Sequence, residues 1–73
     1  MEISGDRLRK LRTRRFLTQV ELASEAGLTE STINRLEQGL QKARISTVRK
    51  IANVLGVNPE ELLNNEERAQ DES

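Results

Sequence analysis

The apolar residues of this chain recur at helical spacing, in stretches that are each closed by a glycine: Gly27, Gly39 and Gly56. A glycine just past a helix end adopts the left-handed conformation cheaply, so each reads as a C-terminal stop. No stretch alternates apolar and polar residues over strand length, and proline occurs once. The pattern predicts an all-α chain. A first helix is expected from about Gly5 to Arg15, with Ser4 as its N-cap and Leu8 and Leu11 facing inward. Phe16 and Leu17 close the connection to the second helix. There Thr18 and Glu21 form a capping box, Leu17 and Leu22 a hydrophobic staple, and Val20, Ala23 and Ala26 the inner face. A third helix follows Thr29, stapled by Leu28 and Ile33, with Ile33 and Leu36 inward. A fourth runs from about Ser46 to Leu55 on Val48, Ile51, Ala52 and Leu55. Asn58, Pro59 and Glu61 open a short fifth helix that ends near Leu63, with Val57 stapled to Leu62.

The expectation is therefore a compact five-helix domain over residues 1–63. Residues 64–73 are polar and acidic, lack an apolar stripe, and are expected to fray.

The second and third helices are the informative pair. Their connection, Gly27-Leu28-Thr29, is so short that the two helices must cross at a sharp angle. Gly27 supplies the positive φ of the turn, and the small Ala23 allows close approach. What faces outward on the third helix is Glu30, Ser31, Thr32, Asn34, Arg35 and Gln38, a wholly polar face able to hydrogen-bond base edges.

Charge changes the picture only when it is mapped. The net charge is zero. Residues 1–57 nevertheless hold eleven cations and six anions, whereas residues 58–73 hold six anions and one cation, Arg68. A basic body carries an acidic end, and the distribution is what matters for nucleic-acid binding. Phe16 is the only aromatic, which argues against base stacking on single strands. The lack of Cys and His removes disulfides, zinc clusters, Cys nucleophiles and the commonest general base. No glycine-rich phosphate loop or nucleophile–base pair is present, so no enzyme, metal or cofactor is expected. The apolar runs fall well short of the roughly 20 residues of a membrane span, and a cytoplasmic setting is expected.

The stretch KLRTRRFLTQVELASEAGLTESTINRLEQG resembles the lambda-repressor-like, Cro-type helix-turn-helix family. The marks are Thr18-Gln19, Leu22-Ala23, Gly27-Leu28-Thr29 and Ile33…Leu36-Glu37-Gln38-Gly39, with VRKIANVLGVNPEELL resembling the family's last two helices. The motif proper spans residues 18–39. The chain departs from the pattern after it: the family often has Pro near Ala43 and a Ser or Thr cap where this chain has Arg44.

The resemblance implies sequence-specific binding of double-stranded DNA by a bacterial or phage-type transcriptional regulator, with the third helix in the major groove. Glu30, Ser31, Thr32, Asn34 and Arg35 would then reach the bases, Arg35 being suited to a guanine. Gln19, Thr29, Lys42 and Arg44 would meet phosphates. Arg12 and Glu37, each four residues after an inward position, would pair as a structural salt bridge between the first and third helices. A homodimer on a roughly palindromic operator would follow, with half-sites about 34 Å apart. Leu62, Leu63 and exposed neighbours are the candidate dimer contact. The alternative is a helix-turn-helix used for protein contacts, as an adaptor or antitoxin-like module. The acidic end is a candidate shield for the basic face.

Overall fold

A computed structural model of the chain describes residues 1–63. It contains four α-helices, α1 (Gly5–Arg14), α2 (Gln19–Ala26), α3 (Glu30–Gln38) and α4 (Ile45–Leu55), and then a single 3₁₀ turn, Pro59–Leu62. There is no strand among the described residues. The expectations for residues 64–73 lie outside them.

The starts of α1, α2 and α3 are set by side chains. Ser4 Oγ accepts from the Arg7 amide at 3.4 Å. The Thr18–Glu21 box is closed both ways, with Thr18 N donating to Glu21 Oε1 at 2.8 Å and Glu21 N to Thr18 Oγ1 at 3.1 Å. Thr29 Oγ1 accepts from Thr32 N at 3.2 Å. Each contact satisfies a backbone N–H that the helix itself leaves unpaired. α4 begins one residue earlier than its pattern predicts, with Arg44 at the cap position and no side-chain hydrogen bond there. Gly27 has φ +71°, and the Leu28 amide reaches back to Ala23 O at 2.8 Å, so the motif's turn is made by the backbone alone.

Leu8, Leu22, Ile33, Leu36, Val48, Ile51, Leu55 and Leu62 are fully buried and form one core. α2 packs on both α3 and α4, and α1 on α3. Gly5 lets α1 approach α3 closely: a Cβ there would collide with the carbonyl oxygen of Glu37. At the other end of α1, Arg15 lays its guanidinium over Gly56, at the C-terminus of α4, where a cation suits the helix dipole.

Four expectations are corrected. The fifth helix is one 3₁₀ turn, because the chain turns extended at Leu63 (φ −78°, ψ 154°) and bridges antiparallel to Ile3. The Leu62 carbonyl, which a longer helix would use, instead accepts from Ser4 N at 2.7 Å. Leu62 and Leu63 are consequently buried, at 0% and 4% exposure. They belong to the core and are not available as a dimer surface. Val20 is 54% exposed, and the inner face of α2 is Leu22, Ala23 and Ala26. Phe16 does not close the connection; Leu17 packs on the core while Phe16 is 92% exposed with φ +57°.

The N-terminal residues, for which the periodicity predicts nothing, are part of the fold. Ile3 is buried. Met1 and Ala43 exchange two hydrogen bonds, Met1 N to Ala43 O at 2.6 Å and Ala43 N to Met1 O at 2.7 Å. Residues 1–4 thus run as a strap between the 40–44 loop and the end of the 3₁₀ turn.

Candidate nucleic-acid interface

α3 divides cleanly by exposure. Ile33, Leu36 and Glu37 are buried, while Glu30, Ser31, Asn34, Arg35 and Gln38 are exposed. Asn34 Oδ1 accepts from Gln38 Nε2 at 2.9 Å, so Gln38 shares the outward face and orients a neighbour. Arg35 Nε donates to Ser31 O at 3.3 Å. That contact steadies the side chain and leaves the two terminal nitrogens, the pair a bidentate contact needs. Thr32 is half-buried, and its hydroxyl shares a 2.9 Å hydrogen bond with Thr29 Oγ1. That bond ties Thr32 to the helix start.

Thr29, at the start of α3, and Lys42 and Arg44, in the loop that follows α3, are exposed. Neither Lys42 nor Arg44 has an ion pair among the described residues. At the start of α2, the box consumes the Thr18 and Glu21 amides. The Gln19 and Val20 amides are first-turn donors without intrahelical acceptors, and such a pair favours an anion.

Glu37 is the node beneath the interface. Its side chain is 1% exposed. Arg12 donates to it twice, Nε to Oε2 at 2.6 Å and Nη2 to Oε1 at 3.1 Å. Gln19 Nε2 donates to Oε1 at 3.1 Å, and Arg9 Nε lies 3.5 Å from the same oxygen. Arg12 Nη1 also donates to Leu17 O at 2.8 Å. One carboxylate therefore joins α1, the α1–α2 connection, α2 and α3. Burial pushes the Glu37 carboxyl up, but the hydrogen bonds from Arg12 and Gln19, the Arg12 charge and Arg9 outweigh it, and the group lies below the ordinary glutamate value.

Gln19, expected at a phosphate, is turned to Glu37 in this structure. Its amide oxygen and second N–H are left by that bond. The roles of Arg9 and Gln19 in the node were not read from the sequence. The available signal is positional: Arg9 sits three residues before Arg12, on the same side of α1. Among the described residues no three acidic, Cys or His side chains are grouped to hold a metal ion. No described helix is long and apolar enough to cross a membrane.

A short helix pair with a glycine turn, one buried and one polar face on the second helix, and two supporting helices define a helix-turn-helix domain. Residues 5–64 match the family described as "Helix-turn-helix domain", and the chain belongs to the lambda-repressor-like, Cro-type helix-turn-helix family.

The chain is 36% identical over 68 residues to the cryptic phage CTXphi transcriptional repressor RstR of Vibrio cholerae, covering 93% of this chain and 61% of that protein. It is 38% identical over 56 residues to the putative antitoxin HigA2 of Mycobacterium tuberculosis, covering 75% and 55%. Among solved structures it resembles the restriction-modification controller protein C.AhdI of Aeromonas hydrophila, with TM-score 0.77, 37% identity, and coverage of 81% of this chain and 89% of that one. The chain thus spans a little over half the length of these two curated relatives.

Proposed function

We infer that residues 1–63 form a non-catalytic module that binds double-stranded DNA sequence-specifically and serves a cytoplasmic transcriptional regulator of the repressor kind. The observation that carries this is the outward face of α3: exposed, wholly polar, and adjoined by the cationic loop at Lys42 and Arg44. α3 enters the major groove, where Glu30, Ser31, Thr32, Asn34 and Arg35 meet base edges. Gln19, Thr29, Lys42 and Arg44 meet phosphates, which fix register without reading sequence. Because one module covers only part of a turn, two copies bind half-sites about 34 Å apart on a roughly palindromic operator.

The likeness to an antitoxin favours one second reading, a helix-turn-helix that also holds a protein partner. Selection from randomised duplexes at fixed salt separates the two. Enrichment of a palindromic site, with affinity falling steeply as salt rises, supports operator binding. Failure to enrich any sequence, together with co-purification of a protein partner, supports the second reading.

A further inference from the structure

The cations of α1 divide between two sides of the helix. Arg9 and Arg12 turn to Glu37 beneath α3. Arg7, Lys10 and Arg14, with Leu11 beside them and Glu61 from the 3₁₀ turn, line a groove of about 300 Å³. At about 100° per residue, the stripe of Arg7, Lys10, Leu11 and Arg14 lies roughly 150° round α1 from Arg9 and Arg12. The groove therefore opens on the far side of α1 from α3 and its polar outward face.

The lining offers more than charge. Leu11 is half-buried and packs on the core, so the groove has an apolar patch anchored to the fold. Glu61 is held in place because its Oε2 accepts from Asn58 N at 3.0 Å, which leaves Oε1 as an acceptor. Lys10 and Arg14 are exposed and have no ion pair among the described residues. They stand four residues apart, about 6 Å along the helix. Carboxylates on alternate residues of an extended peptide are separated by about 7 Å, a close match. A phosphate backbone would gain nothing from Leu11 and would be repelled by Glu61. The lining thus favours an acidic peptide over a nucleic acid.

We propose that this groove is a docking site for an acidic segment of a partner protein, with two carboxylates pairing with Lys10 and Arg14 and an apolar side chain lying on Leu11. Arg7 adds to the positive field. Glu61 sets the orientation by accepting an N–H or hydroxyl from the segment. Because the groove and the outward face of α3 lie on different sides of the domain, the partner is held without displacing what α3 binds. The module then has two recognition faces, and this one does not depend on the reading of α3 given above.

The test titrates a synthetic peptide, acetyl-Asp-Ser-Asp-Ser-Leu-amide, into the ¹⁵N-labelled full chain at low salt and without DNA. In extended form its two Asp and its Leu share one side. Saturable shifts are expected at the amides of residues 7–14 and 60–62, with those of residues 30–38 unmoved. A peptide with Asn in place of both Asp should not bind. The double variant Lys10→Gln, Arg14→Gln changes exposed positions only, so it should melt like the parent and bind the peptide roughly tenfold more weakly, the effect of two exposed ion pairs.

Shifts centred on residues 30–38 or 41–45 overturn the site. Equal affinity of the double variant, or equal binding of the Asn peptide, overturns the pairing. A random-sequence duplex that moves the amides of residues 7–14 more than those of 30–38 would assign the groove to a phosphate backbone and overturn the peptide.

Discussion

Glu37→Gln is the substitution that most directly tests how this domain is held together. It keeps the shape of the side chain and removes its charge. Gln keeps one accepting oxygen and puts an N–H₂ donor in place of the other, so Arg12 loses the carboxylate whose two oxygens take its donors at 2.6 and 3.1 Å. Arg12 is 13% exposed and keeps its contact to Leu17 O, so its charge is neither wholly buried nor wholly stranded. Breaking a buried pair from one side costs about 3–5 kcal/mol. Residual exposure puts this case at the lower end, about 3 kcal/mol.

A domain of this size has only about 3–9 kcal/mol to lose. The loss should lower Tm by roughly 12–24 °C, read by far-UV circular dichroism at neutral pH. A double-mutant cycle with Arg12→Met isolates the pair, since removing both charges is far milder than removing one. The acid limb adds a second signature. Because the folded-state pKa of Glu37 is depressed, its stabilising contribution is present above the unfolded value and is lost as pH falls through the folded one. The parent should therefore lose stability below about pH 4.5 more steeply than Glu37→Gln. A variant melting within about 2 °C of the parent, less than 1 kcal/mol would produce, would refute the view of Glu37 as the node.

Three further outcomes follow from named contacts. Phe16→Gly should raise stability by about 0.5–1 kcal/mol, since it relieves a left-handed residue whose side chain touches little, whereas Phe16→Ala should not; chemical denaturation of the two variants checks this. Gly5→Ala should cost about 1–3 kcal/mol because the new methyl meets the Glu37 backbone, although alanine is the better helix former; a stabilised Gly5→Ala would contradict the close approach. On DNA, Arg35→Ala should relax preference at a single base pair, while Lys42→Ala should weaken all sequences alike and reduce the salt slope by about 1, both measurable by titration across a panel of duplexes.

The parts of this fold that could be read in advance are those encoded within a few residues. Ser4, Thr18, Thr29 and the stop at Gly27 act on neighbouring backbone, so their chemistry is local and visible. Arg12 and Glu37 each stand four residues after an inward position, and it was the family resemblance that implied they pair. Val20 misled because each three-residue step falls about 60° short of a full turn. A run taken in threes therefore drifts off the buried face, and Leu22 holds that face instead. The length of the fifth element depended on a partner sixty positions away: Ile3, which draws Leu63 out of helical conformation. Ile3 did carry a signal, since it precedes the Ser4 cap and stands five before Leu8, the staple arrangement seen at Leu17 and Leu22. The outward face of α3 was legible as a face. The tie between Thr29 and Thr32, and the turn of Gln19 toward Glu37, required the packed structure.

The antiparallel meeting of Ile3 and Leu63 makes the order of the helices along the chain partly dispensable. The two ends of the described fold are neighbours, so a short linker could join them and new termini be opened at Leu40-Gln41, beyond the Gly39 stop. Such a circular permutant keeps residues 18–39 as one uninterrupted piece with its whole supporting scaffold. The motif depends on which helices surround it in space and hardly at all on where the polypeptide begins.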